Sequence, residues 1–201
     1  DLTDTILQGA DLTNSILPDS GLSSKDYTST IFDGVDLSGK DLSYSKFDYA
    51  SFDNTNMENT NLMFTEFFSV DLTKIKNKSL AHSDLTNAAF PYSNFSGIDL
   101  TDTVFRNNNF TFTTLSDLDF TVIFEKSIFG TVFESATISN TTFDGVNFYE
   151  RNFYEWSHSN KAHMNQEMEI GMNNKFVVES EFINKFIINN RIEGNDLVLT
   201  F

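Results

Sequence analysis

The chain has 201 residues and a formal net charge of −16, with 13 Lys and Arg against 29 Asp and Glu, and no cysteine. The missing cysteine excludes disulfides, thiol catalysis and cysteine-based metal sites within these residues. No run of about twenty apolar residues is present to span a membrane, and the acidic surplus opposes nucleic-acid binding and favours solubility.

From the first residues onward a large apolar side chain stands at every fifth position: Leu2, Leu7, Leu12, Leu17, Leu22, Tyr27, Phe32, Leu37, Leu42, Phe47, Phe52, Met57, Leu62, Phe67 and Leu72. A helix repeats near 3.6 and a half-buried strand at 2, so a period of five means that each pentad is one side of something that turns. A short fixed period held over a long stretch predicts a solenoid. The residue before each centre is often Asp or Asn, as at Asp11, Asp36, Asp41, Asn56, Asn61 and Asp71. Two before the centre it is small, as at Ala10, Ser45, Ala50, Thr55, Thr60 and Thr65. The centre and the small residue are expected to point inward and the other three to face water. Coils of about twenty residues stacked at about 4.8 Å then align residues twenty apart, such as Leu7, Tyr27, Phe47 and Phe67. The 22 Phe against 6 Tyr and 1 Trp suit a core filler with no polar group to satisfy.

Segments such as Ala10-Asp11-Leu12-Thr13-Asn14 and Val70-Asp71-Leu72-Thr73-Lys74 carry the whole pattern. The chain resembles the pentapeptide-repeat family over residues 1 to about 155. That resemblance implies an all-β fold, a right-handed quadrilateral β-helix with four pentads per coil. The register is expected to slip in three places. Between Leu72 and Leu80 the step is eight, and Lys74-Ile75-Lys76-Asn77-Lys78 reads as an outward loop. Two short steps, Phe120 to Phe124 and Phe129 to Phe133, read as tightened corners before a last phase of Phe133, Ile138, Phe143, Phe148 and Phe153.

The pattern stops after Phe153, so 1–155 reads as the solenoid and 156–201 as a small mixed C-terminal cap or linking segment. Ser157 to Met172 is expected to hold a short helix, with Met164 and Met168 four apart and Gly171 as a stop. Strand-like runs follow at Phe176–Val178, Phe182–Ile183, Phe186–Ile188, Ile192 and Leu197–Phe201. The chain begins inside a good pentad and ends on an apolar strand, so the expectation is a domain of a longer protein.

Chemistry is expected to be absent. No phosphate-cradling glycine motif, nucleophile elbow or two-histidine metal motif is present, so neither an enzyme nor a cofactor is expected within this chain. His82, His158 and His163 read as surface or capping residues. Asp99 and Asp119, twenty apart, read as corner hydrogen-bond acceptors rather than a calcium or catalytic pair. Two features remain. The first is the charge, which permits imitation of DNA. The second is a set of large side chains at positions expected to face outward: Tyr44, Tyr49, Met63, Phe64 and Phe68. Tyr149, Tyr154 and Trp156 form another group, expected to dock the 156–201 segment.

The Asn- and Phe-rich repeats also resemble the N-terminal β-helix domain of secreted bacterial HECT-like ubiquitin ligases of the SopA and NleL type. That resemblance implies a non-catalytic domain that recruits a host protein from within a secreted effector, the ligase chemistry residing in a separate cysteine-bearing lobe. The alternative within the repeat family is a DNA-mimicking inhibitor of gyrase or topoisomerase acting in the bacterial cytoplasm. On the first reading the partner-binding residues are Tyr44, Tyr49, Phe64 and Phe68, with Lys74 and Lys76 of the basic insert at the rim. Those four rings are expected to face a protein partner or the remainder of the parent chain.

Overall fold

The computed structural model describes residues 2, 5–128, 131, 133, 136–143, 167–171, 175–176, 189–193 and 196–200. Parallel bridges join residues twenty apart, among them Asp26 to Lys46, Lys46 to Glu66, Asp41 to Asn61 and Ala89 to Asn109. The chain therefore winds as a solenoid of parallel coils, four pentads to a coil.

The backbone donors of one pentad explain its composition. In Asn94–Ile98, Asn94 N–H donates to the coil on one side at Val70 O (3.0 Å). Phe95 and Gly97 N–H donate to the coil on the other, at Thr114 O (2.9 Å) and Ser116 O (2.9 Å). Ile98 N–H closes the pentad's own turn on Phe95 O (3.2 Å). One donor, Ser96 N–H, has no carbonyl, and Asn94 Oδ1 accepts it at 3.0 Å. Asp71, Asp84, Asp99 and Asp119 do the same for Thr73, Thr86, Thr101 and Thr121. The Asp/Asn preference thus reflects the one donor the coils leave over. Most pentads turn at the second residue after the centre, which takes a left-handed backbone, as at Asn54 (φ 58°), Asn87 (φ 59°) and Gly97 (φ 68°).

Inside, the centres form continuous columns. Tyr27, Phe47, Phe67, Phe90, Phe110 and Phe133 stack ring on ring, with successive centroids 5.0, 4.9, 5.0, 5.4 and 5.7 Å apart. Tyr27, the polar member, donates its hydroxyl to Leu22 O at 2.8 Å. The small inward residues carry their own partners: Thr30, Thr55, Thr103 and Thr113 hydroxyls donate to Leu7, Phe32, Leu80 and Phe90 carbonyls of the neighbouring coil. A buried hydroxyl is tolerated here because it is satisfied.

The first insert is not an outward loop. Leu72–Lys74 and Lys76–Lys78 are consecutive 3-10 turns, and Ile75 between them is buried, 3% exposed. Asn54 N–H donates to Lys74 O (2.8 Å) and Lys76 N–H to Thr55 O (2.8 Å), so the insert stays inside the coil-to-coil ladder. It widens a corner by three residues, and the bridges across it become Asn61 to Asp84, Glu66 to Ala89 and Asp71 to Asn94.

The second irregularity is the same device, not a shortened step from Phe120 to Phe124; Phe129, where the other short step was expected to begin, lies outside the described residues. Phe120–Val122 and Phe124–Lys126 are again 3-10 turns around a buried Ile123. Asp119 caps the first as Asp71 does the earlier one. Asp102 N–H donates to Val122 O and Phe124 N–H to Thr103 O, repeating the earlier bonds 48 residues on. The core therefore passes from Phe120 to Ile123 and Ile128, while Phe124 faces outward, 43% exposed. Asp71-Leu72-Thr73-Lys74-Ile75 and Asp119-Phe120-Thr121-Val122-Ile123 share the pattern Asp-apolar-Thr-x-Ile, which the apolar Phe124 disguised.

Among the described residues seven strands lie toward the C-terminus: β1 (Thr114–Ser116), β2 (Thr137–Ser139), β3 (Thr142–Phe143), β4 (Glu167–Gly171), β5 (Lys175–Phe176), β6 (Asn189–Glu193) and β7 (Asp196–Thr200). One sheet runs β1-β2-β4-β7-β6 and a second pairs β3 with β5. β1, β2 and β4 pair in parallel, continuing the solenoid, whereas β4–β7 and β7–β6 are antiparallel. Glu167–Gly171, expected as the end of a helix, is a strand: one Met pair four apart is a weak helical signal beside the alternation Glu-Met-Glu-Ile. The rest of that expected helix, the strand-like runs 182–183 and 186–188, Phe148, Phe153, Tyr149, Tyr154, Trp156, His158 and His163 lie outside the described residues.

Candidate functional site

The corner position has a left-handed backbone, and for a bulky L-residue that conformation is an outlier costing about 1–2 kcal/mol. Asn, Ser and Gly fill most corners. Among the described residues five corners nevertheless carry large rings: Tyr44 (φ 58°), Tyr49 (φ 59°), Phe64 (φ 56°), Tyr92 (φ 60°) and Phe112 (φ 56°). All five are exposed, by 61, 59, 41, 54 and 46% respectively.

They fall on two corners that flank one side of the solenoid, the side whose inner column is Phe47, Phe67, Phe90 and Phe110. On one corner Tyr44 stacks on Phe64, centroids 4.7 Å apart. On the other, Tyr49 meets Phe68 edge-on at 5.4 Å, Phe68 meets Tyr92 at 5.2 Å, and Tyr92 stacks on Phe112 at 4.8 Å. Ser69 holds the corner between Tyr49 and Tyr92, and half-buried Phe68 fills the gap it leaves. The second row thus spans four successive coils.

Of the residues expected from sequence, Tyr44, Tyr49, Phe64 and Phe68 are brought together around this side. Met63 is half-buried. Lys74 and Lys76 are not with them: the insert occupies the far corner of the adjoining side, and Lys74 Nζ lies 3.7 Å from Asp53 Oδ1. Tyr92 and Phe112 were missed. Their signal was present, since they stand two after Phe90 and Phe110 as Tyr49 stands two after Phe47, but the insert shifts the count by three.

Between the rows the floor is charged at one end and apolar at the other. Parallel bridges set Asp26, Lys46, Glu66 and Ala89 in one line. Lys46 Nζ pairs with Asp48 Oδ2 at 3.0 Å. That contact, with Glu66 and Asp26 beyond it, holds the ammonium above its ordinary pKa. Asp48 Oδ1 also accepts Phe68 N–H at 3.0 Å, which ties the acid to the ring row. Pro91 and Thr111 continue the floor toward Phe112.

The other candidates resolve as structural. Asp99 accepts from Thr101 N–H and Oγ1, and Asp119 from Thr121 N–H. His82 is an exposed corner residue, 3.6 Å from Asp102. Among the described residues no group of three His, Asp or Glu side chains converges on a point where a metal could sit.

The pentapeptide-repeat family model matches residues 32–63 and 79–121, in eight copies. Its match breaks at the first insert and ends at the second. Among solved structures the chain is similar to HetL, a pentapeptide repeat protein involved in heterocyst differentiation regulation from the cyanobacterium Nostoc sp. strain PCC 7120. The identity is 16% over 67% of this chain and 54% of that one, with a TM-score of 0.38, so the chain spans about half the length of HetL. It is similar to trypsin-treated QnrB1, a plasmid-mediated fluoroquinolone resistance protein, at 15% identity over 69% of this chain and 86% of that one (TM-score 0.41). It is also similar to a pentapeptide repeat protein from the Arabidopsis thaliana thylakoid lumen, at 18% identity over 75% and 77% (TM-score 0.18). The comparison with curated proteins returns no match. The matched segments hold the corners of Tyr44, Tyr49, Tyr92 and Phe112, and over them the chain carries pentapeptide repeats.

Proposed function

We propose that the chain is a non-catalytic protein-binding domain, a right-handed, four-sided β-helix over 1–155 with a cap over 156–201, and that the side bounded by the two ring rows is its docking face. One observation carries this reading. Five exposed aromatic residues occupy left-handed corners where Asn, Ser or Gly would be less strained. Strain of this kind marks function when the fold has no use for it, and aromatic anchors dominate protein interfaces. Tyr44, Tyr49, Phe64, Phe68, Tyr92 and Phe112 form the face; Lys74 and Lys76, on the far corner of the adjoining side, lie outside it. The Asn- and Phe-rich texture of the repeats supports placing this domain in a secreted bacterial effector of ubiquitin-ligase type, where the partner is a host protein.

The test is a pull-down from host-cell extract with the wild type and with Tyr44→Asn plus Phe64→Asn, a change to a residue the corners already use. The variant should keep its circular dichroism spectrum and lose a few kcal/mol of partner binding. Equal recovery of the same proteins by a folded variant would remove these rings from the docking face.

A further inference from the structure

The partner's chemistry follows from how the rings are presented. Tyr44 and Phe64 stack at an interplanar angle of 6°, and Tyr92 and Phe112 at 14°. In each stacked pair one face of each ring is covered by its partner, and the ring edges are left at the surface. A sugar or a nucleobase binds an aromatic residue through its face, and the stacking takes up one face of each paired ring. Ring edges and phenol hydroxyls instead suit the side chains of another protein.

Charge narrows the class. Beside the rows, Asp26, Asp48 and Glu66 surround Lys46, so carboxylates outnumber the cation on the floor. Lys25, at the edge of the same side, is turned away and donates to Leu2 O at 2.6 Å. Toward Ala89, Pro91 and Phe112 the floor carries no charge. A ligand lying along this side meets acid at one end and apolar surface at the other.

We propose that this side binds a basic amphipathic segment of a protein partner, with apolar side chains against Phe68, Tyr92 and Phe112 and Lys or Arg against Asp26, Asp48 and Glu66. The inference rests on the protein-binding reading above and names the kind of partner. A helical segment fits the spacing, because its turns repeat every 5.4 Å, close to the coil spacing of about 4.8 Å.

The experiment uses the whole 201-residue chain and three fluorescein-labelled peptides of about 18 residues, five helical turns. One is an amphipathic Leu/Lys peptide, one its Leu/Glu counterpart, and one a Lys/Ser peptide with the same charge as the first. Fluorescence anisotropy gives affinities for the wild type, for Tyr49→Asn plus Tyr92→Asn, and for Glu66→Gln. The Leu/Lys peptide should bind the wild type at least about tenfold more tightly than either other peptide, and the ring variant should lose about tenfold for it alone. Glu66→Gln should weaken it at low salt and matter less at high salt. Equal or tighter binding of the Leu/Glu peptide would overturn the basic partner and leave the docking face standing. Leu/Lys binding indifferent to the ring variant would be bare attraction to an acidic chain and would overturn this inference together with the ring face. No binding of the Leu/Lys peptide would overturn the inference, while ring-dependent recovery from extract would preserve the broader reading. A ring-dependent dimer in sedimentation, with no peptide binding, would make the occupant a second copy and refute the proposal.

Discussion

Asn108 should be a weak point that a single substitution repairs. It sits at the inward small position, 1% exposed. Its Nδ2 donates to Leu85 O and Ala88 O, but Oδ1 is buried without a partner. Five residues on, Thr113 in the equivalent position donates its hydroxyl to Phe90 O at 2.6 Å. Five residues before, Thr103 donates to Leu80 O at 3.1 Å. Threonine at 108 would keep the donor toward Leu85 O, fill a similar volume with a methyl group, and remove the orphan acceptor. An unsatisfied buried polar group costs about 1–3 kcal/mol. Asn108→Thr is therefore expected to stabilise by about 1–2 kcal/mol, within that penalty. For a chain of this size that raises Tm by about 2–8 °C, read by circular dichroism. Thr103→Asn should lower Tm by a similar amount. If Asn108→Thr melts at or below the wild type, the satisfaction of inward hydroxyls is not what stabilises this core.

Three further outcomes follow from the same geometry. Phe47, 0% exposed between Tyr27 and Phe67, should cost about 3–5 kcal/mol as Phe47→Ala; the exposed corner change Asn54→Asp should stay within about 0.5, and equal denaturation midpoints would refute the register. Hydrogen bonds from Ser38 hold the Asp36 carboxyl below its ordinary pKa. Its stabilisation is complete above the unfolded value of about 4 and is lost as pH falls through the lower folded value. With salt present to screen general repulsion, the wild type's advantage over Asp36→Asn in urea midpoint should shrink between pH 6 and pH 3; a gap that stays constant would contradict that linkage. Added to a gyrase supercoiling reaction, the chain should leave supercoiling unchanged, because its acids are spread over the sides and many are tied to their own corners. A salt-sensitive inhibition would favour DNA mimicry instead.

Much of the solenoid was legible because a period of five has one physical meaning here. Leu42, Phe47, Phe52, Met57 and Leu62 are each 0 or 1% exposed, and the Asp/Asn position does the corner bonding its residue type implies. The inserts were harder. Lys74, Lys76 and Lys78 advertise exposure, and nothing local shows that Ile75 among them turns inward. At Phe124 the larger apolar residue faces out while Ile123 is buried, because the 3-10 turns set the direction and hydrophobicity does not. The ring rows were half visible. Tyr44 and Phe64, twenty apart, announced a stack, but Tyr92 and Phe112 become their counterparts only after the three added residues are counted. The left-handed backbone beneath the rings had no sequence signal, since Tyr and Phe are not residues that ordinarily mark it.

On the proposed reading the outward rings serve a partner and not the fold. Tyr49→Asn with Tyr92→Asn separates the two roles, because Asn is at ease in the corner conformation and replaces only the ring. Thermal melting and quantitative recovery of partner from host-cell extract should be measured on the same preparation. A Tm within a few degrees of the wild type is expected, the loss of ring stacking offset by relief of corner strain, together with loss of the partner. A variant that melts far below the wild type while, at a temperature where it is folded, it retains the partner in full would show that the rings hold the solenoid together and do not serve a partner.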